Sequence, residues 1–181
     1  MTALVVYESM FGNTRAIAYA IAKGLENWVP VDVTEVNSAP TVLGDEISLL
    51  VVGGPTHAFG MSRDSTRRDA EIKGAGPVVS TDEGIREWLS KLGHPRSGFP
   101  ATTFDTKINK SWLPGSAAKA AHKRLRWLRF QMVTPPESFF VTDVAGPLVD
   151  GELDRAQAWG EQVGAVWARG NRTAGLGPDE G

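Results

Sequence analysis

Ser9-Met10-Phe11-Gly12-Asn13-Thr14 combines three hydroxyl or amide side chains with one glycine at the start of a helix-like stretch. Ser9, Asn13 and Thr14 supply side-chain hydrogen bonds, and Gly12 lets the backbone turn and approach a ligand closely. Free amides at a helix start point at the same spot, where the helix dipole favours an anion. This is a phosphate cradle that needs no lysine. It is not a Walker loop, since the Gly-Lys-Ser/Thr ending is missing, and it is not the dinucleotide fingerprint, since Gly12 stands alone. Taken by themselves, Ser9 and Asn13 serve equally well as helix caps. A carboxylate at Glu8 would repel a phosphate, so it is expected to point away or to form a local hydrogen bond.

Other chemistry is thinly represented. No G-x-S-x-G elbow, H-E-x-x-H helix or EF-hand loop occurs. His94 and His122 are isolated from each other and read as surface residues. The 181 residues contain no cysteine, which removes disulfides, Cys-ligated zinc, iron–sulfur clusters and thiol catalysis. A redox role would therefore use a bound organic cofactor or a non-thiolate metal. The composition, 41 % hydrophobic and 22 % charged, is that of a globular chain rather than a disordered one. A net charge of −2 gives no global pull toward nucleic acid. No run approaches the ~18 apolar residues a membrane span needs, and no basic flank precedes the first apolar run. A cytoplasmic location is the default expectation. On that basis Asn109-Lys110-Ser111 and Asn171-Arg172-Thr173 are chance glycosylation patterns.

The elements that must position the cradle follow from periodicity. Ala3–Tyr7 is a buried strand. Asn13–Trp28 turns helical, with Ile17, Ile21, Leu25 and Trp28 on one face. Val31, Val33 and Val36 alternate as a second strand, and Ile47–Val52 is a third that stops at Gly53-Gly54-Pro55. Gly60 to Thr81 has no period and reads as a loop. Asp82 is expected to cap a helix bearing Ile85, Trp88, Leu89 and Leu92. Pro100–Asp105 is a fourth strand. Ser116 caps a helix that aligns Ala117, Ala121, Leu125 and Leu128. Ser138–Val144 is a fifth strand, and Asp150 caps a last helix with Leu153, Ala156, Val163 and Trp167 inward. Strands alternating with helices predict an α/β fold, a doubly wound five-stranded parallel sheet covered on both faces, formed by residues 1–169 as one domain. Residues 170–181 read as a flexible tail. Ligands of such folds bind beyond the carboxyl ends of the strands, where the strand order reverses.

On these residues the chain resembles flavodoxins and the wider flavodoxin-like family of FMN-binding domains. Ser9, Met10, Phe11, Gly12, Asn13 and Thr14 look like that family's FMN-phosphate loop. Pro55, Thr56, His57, Ala58, Phe59 and Gly60, after the third strand, resemble its first flavin-ring loop. Phe104, Asp105, Thr106 and Lys107, after the fourth, sit where the second ring loop is expected. The resemblance implies strand order 2-1-3-4-5, non-covalent FMN and transfer of electrons between redox partners. Phe59 or His57 would supply one face of the ring, and Gly60 a peptide free to rotate with redox state. The chain departs from the family in having no tyrosine in the second ring loop; Trp112 is a substitute, or packs under a loop. Two alternatives stay open: an FMN-dependent NAD(P)H oxidoreductase acting on quinones or similar acceptors, and a binding module that has lost flavin.

One asymmetry bears on partners. From Lys107 to Arg129 there are seven Lys or Arg residues and no acid: Lys107, Lys110, Lys119, Lys123, Arg124, Arg126 and Arg129. This is either a solvated helix face or a docking surface for an anionic redox partner, opposite to the polarity usual in flavodoxins. Nucleic acid fits poorly, because stacking aromatics are sparse. The mixed-charge stretch Gly60–Thr81 is either a lid over the ring or a mobile loop.

Overall fold

The structure, a computed structural model, describes residues 1–57, 60–73, 79–80, 82–110 and 114–175. In chain order its elements are β1 (Thr2–Tyr7), α1 (Asn13–Leu25), β2 (Val31–Glu35), a 3-10 turn (Val36–Ser38), β3 (Ile47–His57), β4 (Gly60–Met61), α2 (Asp64–Lys73), α3 (Ile85–Lys91), β5 (Pro100–Ile108), α4 (Ala117–Trp127), β6 (Gln131–Met132), β7 (Glu137–Val141) and α5 (Glu152–Gly175). The sheet runs β2-β1-β3-β5, with β6 beside the start of β5 and β7 beside its end. Those pairings are parallel, and only the short β4 runs antiparallel, against β3. Counting β6 and β7 as one interrupted strand, this is the doubly wound sheet in the order 2-1-3-4-5. The interruption is Val133-Thr134-Pro135-Pro136, where two residues without an N–H sit on the sheet edge.

Alternation splits each central strand between two cores. Leu4 and Val6 of β1 with Leu50 and Val52 of β3 face α3 and α4, joined by Trp88, Leu89 and Leu125. Ala3, Val5, Leu49 and Val51 face α1 and α5, joined by Ile17, Ile21, Phe139 and Trp159. Burial on both faces explains why β1 and β3 read as continuous apolar runs. Ser116 caps α4 as expected, its hydroxyl accepting from Lys119 N–H at 3.1 Å.

Five expectations change. β3 does not stop at Val52 but pairs with β5 as far as Pro55 opposite Thr106, and continues to His57. Gly53 is no breaker here: a Cβ at that position would run into the ring of Phe104. The stretch Gly60–Thr81 is not a loop throughout, since it holds β4 and α2. Polar α2 is held by a buried Arg67 rather than by an apolar stripe. α3 starts after Gly84, not after Asp82, because Glu87 folds back to accept the Gly84 N–H at 3.0 Å while Arg67 takes the Asp82 carbonyl. α1 ends at Leu25, so Trp28 lies beyond it and is exposed. α5 begins at Glu152, past Asp150, with Leu153 exposed, and it crosses Gly170 to reach Gly175.

Candidate functional site

The strand order reverses between β1 and β3, and the segment after β1 lies at that switch. Gly12 adopts φ +87, in the left-handed region, and opens α1. Ser9 Oγ accepts from Gly12 N–H at 3.1 Å and from Arg15 N–H at 3.3 Å. It therefore caps the helix from three residues upstream. The N–H groups of Asn13 and Thr14, between those two, have no acceptor among the described residues, as first-turn amides generally do not. Thr14 is buried and its hydroxyl shares a 2.7 Å hydrogen bond with the Thr106 hydroxyl, which ties the helix start to the end of β5. Asn13 Nδ2 donates to Ala145 O at 3.0 Å, so this side chain braces the turn after β7 rather than reaching for a ligand.

The loop is also strapped from outside. Val79 N–H donates to Met10 O at 3.0 Å and Ser80 N–H to Ser9 O at 2.8 Å, while Ser9 N–H donates to Ser80 Oγ at 3.0 Å. The fully buried Ser80 is a site residue the sequence did not announce. Glu8 points away from the cradle, as expected, and into the core. Its Oε2 accepts from Ile85 N–H at 2.8 Å, at the start of α3. Burial pushes its pKa up, against a lowering pull from Ser62, the Ile85 amide and Arg67. Arg67, buried like Glu8, donates to Ser62 Oγ at 2.9 Å and to Glu87 at 3.1 Å. Arg86 holds the carbonyls of Met61 and Ser62 at 2.9 and 3.1 Å. Together these groups pin the β3–β4 hairpin and α3 against the end of β1.

A cavity of about 220 Å³ opens over this switch point. Ser9, Met10, Phe11, Asn13 and Thr14 line it from the first segment, Pro55, Thr56 and His57 from the second, and Thr106 and Lys107 from the third. Ile108, Val141 and Val144 add apolar wall that sequence reasoning did not include. Gly12 forms the bend rather than the lining, and Gly60 pairs with His57 in the hairpin. Ala58, Phe59 and Trp112 lie outside the described residues. Phe104 and Asp105 need correction, because β5 runs on to Ile108 and carries both into the covered part of the sheet. Phe104 is fully buried, edge-on to Phe139 and Trp159 with centroids 6.4 and 6.5 Å away. Asp105 is fully buried on the other face. Its Oδ2 accepts from Ser116 Oγ at 2.6 Å, Ala118 N–H at 2.9 Å and Thr56 Oγ1 at 3.0 Å. It anchors α4 and orients Thr56, a cavity residue. Burial, then the charge of Arg67, lowers the pKa of His57 and so disfavours its charged form.

Unpaired first-turn amides and the Ser9 hydroxyl at the switch point of a doubly wound sheet, beside an apolar wall, form the kind of place where such folds take anionic ligands. A family model described as flavodoxin matches residues 5–162, and the chain belongs to the flavodoxin family. An archaeal flavodoxin structure aligns with TM-score 0.62 at 20 % identity, covering 93 % of this chain and 99 % of that one. Flavodoxin 1 from Bacillus cereus aligns at 0.62 and 15 % identity, over 93 % and 98 %. Rubredoxin oxygen:oxidoreductase from Desulfovibrio gigas aligns at 0.64 and 13 % identity, over 93 % of this chain but 36 % of that larger one. No curated protein matches the chain. Among the described residues no cluster of His, Asp and Glu is placed to hold a metal, and no helix is long and apolar enough to cross a membrane.

Proposed function

We propose that this protein binds FMN non-covalently and carries electrons between redox partners in the cytoplasm, its docking surface for an anionic partner lying near Lys107–Arg129. The observation that carries the reading is the cavity itself. One end offers unpaired amides at the start of α1 beside the Ser9 hydroxyl, and the other offers Pro55, Ile108, Val141 and Val144. That donor set fits a phosphate joined to a flat, largely apolar ring. Bound FMN supplies the electron chemistry, and the protein supplies binding, orientation and electrostatics.

Ser9, Met10, Phe11, Gly12, Asn13 and Thr14 form the phosphate end. Gly12 sets the bend, Asn13 braces it through Ala145, and Thr14 fixes its height on β5. Pro55, Thr56 and His57 form one side of the ring site, backed by Gly60 in the hairpin, and Thr106 with Lys107 the other. No side chain is required as acid or base.

The test is a titration of flavin-free protein with FMN and with riboflavin. FMN is expected to bind below micromolar, and riboflavin, lacking the phosphate, at least about tenfold more weakly, a difference of about 1.4 kcal/mol. Failure to take up FMN at micromolar concentration leaves a fold without its flavin. Equal affinity for the two ligands removes the cradle from the argument. Steady NADPH oxidation by the loaded protein alone, with a quinone present, makes it an oxidoreductase instead of a carrier.

A further inference from the structure

α4 presents solvent with a continuous cationic and aromatic stripe. At about 100° per residue, Arg126, Lys119, Lys123 and Trp127 fall within about 100° of one another, with half-buried His122 at the margin. They lie opposite the buried Ala117, Ala121, Leu125 and Leu128. Lys119, Lys123 and Arg126 form no ion pair among the described residues. Trp127 is 64 % exposed although the Arg124 guanidinium stacks on it at 4.4 Å. All 21 acidic residues of the chain lie outside Lys107–Arg129, so the stripe is a local reversal of polarity on an anionic molecule.

A groove of about 510 Å³ runs beside the stripe, with His122 and Arg126 as one wall and Phe130, Met132, Pro135 and Pro136 among the rest. His122 Nδ1 is buried there without a partner. An apolar floor with one cationic wall suits a carboxylate on an aliphatic stem. Pro135 and Pro136 offer no N–H, so this edge is closed to an added strand and favours side-chain insertion. α4 itself also begins at the candidate site: Ala117 N–H, at its start, donates to Thr56 Oγ1 at 2.9 Å. Trp127 lies about 15 Å further along the helix axis, at 1.5 Å per residue.

We propose that this face of α4, with the groove beside it, docks an acidic electron-transfer protein. Carboxylates of the partner pair with Lys119, Lys123 and Arg126, one of them enters the groove, and Trp127 is the desolvated anchor. The redox part rests on the FMN-carrier reading, whereas the docking itself does not need flavin. Docking itself makes and breaks no bond; on the carrier reading, bound FMN would exchange single electrons with the partner's own redox centre.

Two measurements test it. In the first, NMR spectra of flavin-free protein are recorded with poly-L-glutamate and, as control, poly-L-lysine. Shifts confined to residues 117–136, abolished by 0.5 M salt and by the triple variant K119E/K123E/R126E, are expected with poly-glutamate alone. In the second, reduced acidic plant-type ferredoxin donates to FMN-loaded protein in stopped flow. The rate should fall about tenfold or more with added salt, and equally in the triple variant at low salt, since steering contributes on that order. W127A should slow transfer with little change in salt dependence. The triple variant should retain its fold and FMN affinity, because none of its positions lines the cavity. Shifts on another face, equal response to poly-lysine, or a ferredoxin rate indifferent to the three reversals overturns the proposal. So does salt-sensitive self-association removed by those reversals, or tighter binding of a DNA duplex than of poly-glutamate. If the protein takes up no FMN, the carrier reading falls while the first measurement still decides the docking.

Discussion

Replacing Asp105 by alanine removes one oxygen that serves three donors at once. Ser116 Oγ, Ala118 N–H and Thr56 Oγ1 all converge on Oδ2 within 3.0 Å. The first two are buried and find no other acceptor among the described residues. Leaving a buried donor unsatisfied costs about 1–3 kcal/mol, and losing an anionic group from a helix start about 1 kcal/mol more. The sum for the two donors and the lost charge, about 3–7 kcal/mol, corresponds to a fall in Tm of about 6–28 °C for a domain of this size. Asp105→Asn keeps an acceptor at the same place and should lose less than half as much. Thermal unfolding followed by circular dichroism, together with urea titration, reads both variants. The damage should begin at α4, so Thr56 should lose its orientation and FMN affinity should weaken as a secondary effect. An Asp105→Ala protein that melts within 2 °C of the parent but binds FMN poorly would place this carboxylate at the cofactor and refute the structural role.

Gly53→Ala sets a methyl group against the ring of Phe104, which Phe139 and Trp159 keep from swinging aside. Such overpacking costs about 1–3 kcal/mol, and Gly53→Ala combined with Phe104→Leu should recover part of it. Strict additivity of the two changes in urea unfolding would show that they do not share this space. Glu8→Gln tests the buried carboxyl. Burial raises its native pKa, so the native state holds the proton more tightly than the unfolded chain does. Its stabilising contribution is therefore complete below the usual carboxylate range and is lost as pH rises through the raised native value. Glu8→Gln has no such dependence and should gain on the parent as pH rises through that window. A stability difference that stays constant from about pH 4 to 7.5 would contradict the assigned direction.

What could be read from the sequence, and what could not, divides along a physical line. Ala3–Tyr7 and Ile47–Val52 announce themselves because a parallel sheet covered on both faces writes unbroken apolar runs. The cradle around Gly12 is legible because its chemistry is local: a turn, a helix start and hydroxyls within six positions. Asp64–Lys73 is illegible for the opposite reason. Periodicity detects an apolar stripe, and this helix is fixed instead by an arginine whose partners, Ser62, Asp82 and Glu87, are spread along the chain. The misplacement of Phe104 and Asp105 has a similar source. Gly53 looks like the end of a strand unless the ring opposite it is known. Once Phe104 fills that space, β3 and β5 remain paired through Pro55 and Thr106. The mouth of the sheet then moves outward by several residues, bringing Thr106, Lys107 and Ile108 to the cavity and leaving Phe104 and Asp105 in the two cores beneath it. The same displacement gives Asp105 its role. A carboxylate at the rim would repel a phosphate, whereas one below the rim organises the start of α4 and, through Thr56, part of the cavity lining.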